Sequence, residues 1–146
     1  MMNASVETEY TNNRSVHAQR VAIGKENLDW GHVAEQIAAD YFVKKGYTVR
    51  ERNWKCGKLE IDLILEKDRT IIFVEVKARK QGTQDPIDAV GREKRQRIIR
   101  AADTYLRSLN MLYQYRFDIF AIIGNREDYR LSHYADAYMP PVNGRG

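Results

Sequence analysis

The spacing of apolar and polar residues changes period several times along the chain. Trp30, Val33, Ala34, Ile37, Ala38, Tyr41 and Phe42 recur at steps of three and four, the stripe of a helix that buries one side. Asp29 is placed to cap its first turn. Gly46 is placed to end it as the C′ residue, because glycine takes a left-handed backbone without steric cost. Tyr47–Asn53 then reads as a strand, and two stretches of period two follow. In Leu59–Glu66, Leu59, Ile61, Leu63 and Leu65 point one way and Glu60, Asp62 and Ile64 the other. In Thr70–Arg79, Ile72, Val74, Val76 and Ala78 share one face and Ile71, Phe73, Glu75 and Lys77 the opposite one. Lys67-Asp68-Arg69 between them is a polar turn signal. Helical spacing returns from Pro86, a good first-turn residue, to Ser108, with Ile87, Val90, Ile98, Ala101, Ala102, Tyr105, Leu106 and Leu109 as its stripe. Strands recur at Tyr115–Ile123 and Tyr129–Ala135. The order αβββαβ, with a further β, predicts an α/β domain whose mixed central sheet is flanked by helices. Weak periodicity over residues 1–26 reads as a flexible N-terminal arm ahead of a single domain at 27–139, with 140–146 as a tail.

The two alternating strands carry the candidate chemistry. A hairpin over the four-residue loop Lys67–Thr70 sets Glu66 opposite Ile71, Ile64 opposite Phe73, Asp62 opposite Glu75, and Glu60 opposite Lys77. Directly opposed carboxylates repel each other across a sheet, so this face calls for a neutralising cation. Carboxylate oxygens are hard donors that suit Mg²⁺ or Mn²⁺, with few protein ligands and several retained waters. Such an ion can activate a water and offset charge on a phosphoryl group. Lys77 would then hold the attacking water or stabilise charge at phosphorus. Glu35 would add a further acid if the first helix packs over this face. Glu-Val-Lys alone is most often the polar side of a strand. An acid thirteen residues earlier on a paired strand, with helices expected on both sides, shifts the weight towards catalysis.

Charge and composition narrow the partner. Between Lys77 and Arg107 nine basic residues stand against four acids, a local field suited to a polyanion. Lys94 falls in line with Val90 and Ile98 on the sheet-facing stripe, towards the acidic cluster or Asp118. Arg92, Arg95, Arg97 and Arg100 fall on the flanks and Arg79 at the end of its strand, available for backbone phosphates. With 43% hydrophobic and 30% charged residues the composition is that of a soluble globular protein. No apolar run approaches the roughly 18 residues of a membrane span. A single cysteine, Cys56, excludes an internal disulfide and a cysteine metal site and fits a reducing, cytoplasmic setting. His17, His32 and His133 have no second ligand at metal spacing, and no glycine-rich phosphate loop occurs. Arg116 and Asp118 share a strand face as an expected structural ion pair.

Leu59-Glu60-Ile61-Asp62-Leu63-Ile64, Phe73-Val74-Glu75-Val76-Lys77-Ala78-Arg79 and Arg116-Phe117-Asp118 closely resemble the YraN-like family of uncharacterised bacterial proteins. The similarity runs from about Gly31 to Met139 and includes Arg52-Asn53-Trp54 and the Ala101 to Leu106 helix segment. Ala34 and Leu59 stand where that family often has glycine, and neither change removes a ligand. The resemblance implies the PD-(D/E)XK nuclease superfamily, near the Holliday-junction resolvases, with a restriction-endonuclease-like core. It places Asp62, Glu75 and Lys77 in the catalytic motif and Glu35 at the acidic position of the first helix. A metal held by Asp62, Glu75 and the Val76 carbonyl follows, with a nucleic-acid substrate, DNA ahead of RNA, no membrane, and a homodimer by analogy with junction-cleaving relatives. Two functions stay open at this point. One is a Mg²⁺- or Mn²⁺-dependent endonuclease for branched or structured DNA; the other is a nucleic-acid-binding accessory protein that keeps the fold without cleavage.

Overall fold

A computed structural model describes residues 5–11, 30–80, 82 and 91–138. Its elements are β1 (Ser5–Thr11), α1 (Trp30–Lys44), β2 (Thr48–Cys56), β3 (Leu59–Lys67), β4 (Thr70–Arg79), α2 (Arg92–Arg107), β5 (Gln114–Gly124) and β6 (Tyr129–Tyr138). The strands form one six-stranded sheet in the order β1-β6-β5-β4-β3-β2. Only β4 and β5 run parallel, joined through the α2 crossover, and every other pair is antiparallel. This is the mixed sheet with flanking helices that the alternation predicts, consistent with a restriction-endonuclease-like core.

Among the described residues one helix covers each face. The α1 stripe packs on Leu63, Leu65, Ile72, Val74, Phe120 and Ile122. On the other face Ile98, Ala101, Ala102 and Tyr105 of α2 pack on Ile64, Ile71, Phe73, Phe117 and Ile119. Side chains such as Phe42, Phe73 and Ile119 are fully enclosed, and each is worth roughly 1.5–3 kcal/mol of burial. The end of α1 follows the expected chemistry. Gly46 has φ 93°, its N–H donates to the Val43 carbonyl, and the Tyr47 N–H reaches back to Phe42. The Tyr47 and Phe42 rings close this Schellman turn edge to face at 5.1 Å. The expected N-cap, Asp29, and residues 86–90 of the expected second helix lie outside the described residues.

Three differences from the sequence pattern matter. The arm expected over residues 1–26 contributes β1, which pairs with β6 along Ser5–Thr11; its Val6, Thr8 and Tyr10 alternation is the short signal that weak helical periodicity hides. The β3–β4 hairpin keeps the expected register, Glu66 opposite Ile71 and Ile64 opposite Phe73, but Lys67 also pairs with Thr70. The loop is therefore only Asp68-Arg69, both at positive φ, as a primed hairpin turn requires. Finally, strict alternation fails in β3. Leu63 and Leu65 face α1, whereas Leu59 and Ile61, expected on the same face as them, pack on the α2 side. On the paired strand Asn53 takes φ 49°. Trp54 accompanies Ile61 on the α2 side, while Arg52 bonds Gln36 of α1. The β2–β3 ribbon rolls over at Asn53 and Asp62, and that roll makes the site.

Candidate functional site

Asp62 sits where β3 parts from β4 while still paired with β2. The β3–β4 ladder ends at Leu63 opposite Val74. Beyond it the strands part, so the expected cross-strand pairing of Asp62 with Glu75 does not continue. The Asp62 carboxylate turns towards β4 and its Oδ2 accepts the Val76 N–H at 2.8 Å. Glu75 and Lys77 follow Phe73 on the α2 face of β4, as the alternation predicts, and both are nearly sealed, at 6% and 9% exposure. The same Glu75 oxygen, Oε2, receives Lys77 at 3.4 Å and Lys94 of α2 at 2.5 Å. Lys94 therefore faces the acidic cluster, not Asp118.

Asp62, Lys77 and Lys94 are each shifted by these surroundings. Burial, and then the charge of Glu75, push Asp62 up to about 7, with the Val76 N–H opposing and Glu35 adding to the rise. Burial also holds the Lys77 ammonium below the usual lysine range, assisted by Lys94 alongside it. Lys94 is raised: burial works against its charge, but the hydrogen bond and the charge of Glu75 outweigh it. The group opens into a cleft of about 190 Å³ lined by Lys58, Leu59, Glu60, Asp62, Glu75, Lys94, Arg97 and Ile98. Of the cations in this lining, Lys58 in the β2–β3 turn escaped the sequence reading, while Arg97, one turn beyond Glu93, was read as a flank arginine and not as a wall of the acidic site. Only a register for the β2–β3 ribbon and a helix phase tied to the sheet place them there.

Two expectations need correction. Glu35 was expected on a helix packed over the acidic face, but α1 packs on the opposite one. Half-buried Glu35 influences Asp62 by its charge, at the end of the sheet where the strands part. Glu60 was expected opposite Lys77; it is instead exposed, pairs with Lys55 of β2 and borders the cleft. The core of the site is thus two carboxylates and two ammoniums. Among the described residues no group of three or more His, Cys, Asp or Glu side chains is arranged to hold a metal ion. Two carboxylates are nevertheless a sufficient protein contribution for Mg²⁺, which ordinarily keeps waters and takes phosphate oxygens as its remaining ligands.

The flanking arginines differ in availability. Arg92 and Arg100 are exposed on α2. Arg95 is half-buried with its guanidinium over the Tyr138 ring, 5.2 Å from the centroid. Arg79 is half-buried and bonds the Ala78 carbonyl. Among the described residues no helix is long and apolar enough to cross a membrane.

Residues 34–122, which hold Asp62, Glu75, Lys77 and Lys94, match the uncharacterised protein family UPF0102. The chain belongs to that family. It is 39% identical over 118 residues to a UPF0102 protein of Phocaeicola vulgatus, covering 80% of this chain and 98% of that protein. It is 42% identical over 113 residues to one of Caldanaerobacter subterraneus, covering 74% and 93%. Against one of Myxococcus xanthus it is 32% identical over 121 residues, covering 82% and 96%.

Proposed function

We propose that the protein is a divalent-metal-dependent phosphodiesterase acting on nucleic acid, DNA ahead of RNA, with structured or branched DNA as the favoured substrate. The observation that carries this reading is the convergence of Asp62 and Glu75 from strands that have just parted, beside Lys77 and lining a cleft whose other charged walls include Lys58, Lys94 and Arg97. In this reading Asp62 and Glu75 hold Mg²⁺ or Mn²⁺ with the Val76 carbonyl alongside. The ion supplies an activated water and charge neutralisation on the phosphoryl group. The Val76 N–H fixes the Asp62 carboxylate and so its direction of donation. Lys77 is buried beside Glu75, its ammonium 3.4 Å from Oε2, where a fixed positive charge would orient the attacking water and offset charge developing at phosphorus. Glu35 adds negative charge behind Asp62. Arg92 and Arg100, with Arg79 and Arg95 behind them, supply a basic wall for backbone phosphates, which carry no base identity.

A second reading has its own support. Two lysines already neutralise Glu75, which a non-cleaving nucleic-acid-binding protein with this fold would also show. Cleavage of a panel of linear, nicked, flapped and four-way DNAs in Mg²⁺ or Mn²⁺, by the native chain and by Glu75→Ala, separates the two. Metal-dependent cutting lost in Glu75→Ala supports the enzyme. Tight binding with no cutting on any substrate selects the binder.

A further inference from the structure

We propose that Lys94 is a resident counter-cation that a divalent ion must displace from Glu75, so that loading the metal releases an ammonium to the mouth of the cleft, where it meets a substrate phosphate. The proposal rests on Asp62 and Glu75 being the metal ligands, and it adds a competitor for that site within the chain itself.

The geometry is specific. Both lysines share one carboxylate oxygen, Glu75 Oε2, and Lys94 makes the closer contact of the two. An ammonium and a metal ion cannot occupy the same side of one oxygen, because both need its lone pairs and their charges repel. Of the two lysines, only Lys94 has a way out. The Lys77 side chain is 10% exposed and held between strand and helix, whereas that of Lys94 is 41% exposed and borders the cleft.

Local helix physics points the same way. Gly91 is the N-cap of α2 and makes no side-chain cap hydrogen bond, so Lys94 is the third residue of the first turn. That position favours acids, since the helix end carries partial positive charge and its N–H groups lack helical acceptors. Placing Lys94 there runs against the helix's own preference; Glu93 is an acid of the same turn, and for Lys94 itself the contact with Glu75 is what compensates. Once a metal neutralises Glu75, the compensation disappears. The lysine then sits in a positive field and favours any anion brought to the cleft. Metal binding and phosphate binding become coupled through a single side chain, and the metal-free site is held closed by its own lysine.

The test is divalent-ion affinity, which needs no turnover. Mn²⁺ binding is measured by titration calorimetry on the full native chain and on Lys94→Gln, Arg97→Gln and Glu75→Gln. Arg97 lines the same cleft without a salt bridge to Glu75, and so reports the effect of removing a nearby positive charge without removing the competitor. Lys94→Gln is expected to bind Mn²⁺ at least tenfold more tightly than the native chain, Arg97→Gln less than threefold more tightly, and Glu75→Gln not measurably. Equal gains in Lys94→Gln and Arg97→Gln would overturn displacement in favour of a general field effect. Native affinity in Lys94→Gln would overturn the proposal while leaving Asp62 and Glu75 as metal ligands. Absence of Mn²⁺ binding to the native chain and to Lys94→Gln alike would overturn the metal reading itself. Thermal unfolding of each variant without metal checks that the fold survives.

Discussion

The sheet carries two charged clusters on opposite faces, built from similar groups and finished differently. Under α1, Asp118 is fully buried and every lone-pair direction is used. Its Oδ1 takes Arg116 Nε at 2.9 Å and the Asp136 N–H at 3.0 Å; its Oδ2 takes His133 Nε2 at 2.7 Å and Arg116 at 3.1 Å. Arg116 also donates to the Tyr47 hydroxyl, and the Tyr41 hydroxyl meets the far side of His133. Asp136 stands at positive φ where the β5–β6 register shifts, which aims its N–H at the carboxylate. The result is a carboxyl held below the usual range: burial alone would raise it, and the bonds from His133 and Arg116 more than offset that. On the α2 face Asp62 has the Val76 N–H and, among the described residues, no second hydrogen bond; it rises to about 7 instead. A charge that is fully bonded belongs to the fold. A charge left short of partners beside a cleft is available to something that is not protein.

The sharpest way to break that comparison is to remove the finished carboxylate. Asp118→Ala leaves Arg116 and His133 enclosed without their acceptor, the costly half of a buried ion pair, at roughly 3–5 kcal/mol. Thermal unfolding should show a large loss of Tm or no folded protein. A variant within about 1 kcal/mol of the native chain would mean that the α1-side cluster is not structural and that the contrast is misdrawn.

The sequence made one cluster more legible than the other. Alternation located Glu75 and Lys77 on a common face, and hairpin parity gave a register that the structure shares as far as Leu63 opposite Val74. Neither could reveal the roll at Asn53, because a positive φ at a non-glycine residue leaves no trace in hydrophobic spacing. The consequence was a Glu60 expected opposite Lys77; Glu35 was misplaced separately, because spacing does not say which sheet face α1 covers. The Arg116–Asp118 pair was readable from two positions on one strand. His133 was not, since its partner is chosen by the β5–β6 bulge and its neighbours by the packing of Tyr41 and Phe42 above it. Lys94 was readable from helical phase, though not its choice between two acids.

Lys77 sharpens the comparison from the other side. Lys94 remains on Glu75 when Lys77 is truncated, so Lys77→Ala should fold with a modest change in Tm. Single-turnover cleavage should nevertheless fall by roughly a hundredfold or more, the scale of losing one preorganised electrostatic group. Lys77→Arg should not restore the rate, because a planar guanidinium does not fill the place of a compact ammonium. Cleavage by Lys77→Ala at the native rate would move the chemistry away from this cleft.

The smallest expected effect tests the unfinished character of Asp62 directly. Its folded value of about 7 lies above its ordinary value of 3.8, so the folded state holds a proton that the unfolded chain has already released. The stability attached to that proton is fully present below pH 4 and is lost as pH rises through about 7. Without divalent ion, the native chain should therefore become less stable between pH 5 and 8, against whatever background its other groups set. Asp62→Asn carries no titrating proton and keeps an oxygen for the Val76 N–H, so it should lack this component and be the more stable protein at pH 8. Asp62 is only partly buried and water screens part of its charge, so the difference is on the order of 1 kcal/mol, or roughly 3–5 °C in Tm. Saturating Mn²⁺ should reverse the order. The ion binds the ionised native carboxylates and stabilises that state by mass action, and the gain should grow with pH in the native chain and be absent in Asp62→Asn. Parallel pH profiles for the two proteins, with and without Mn²⁺, would show that Asp62 is as well satisfied as Asp118 and would erase the distinction between the two faces.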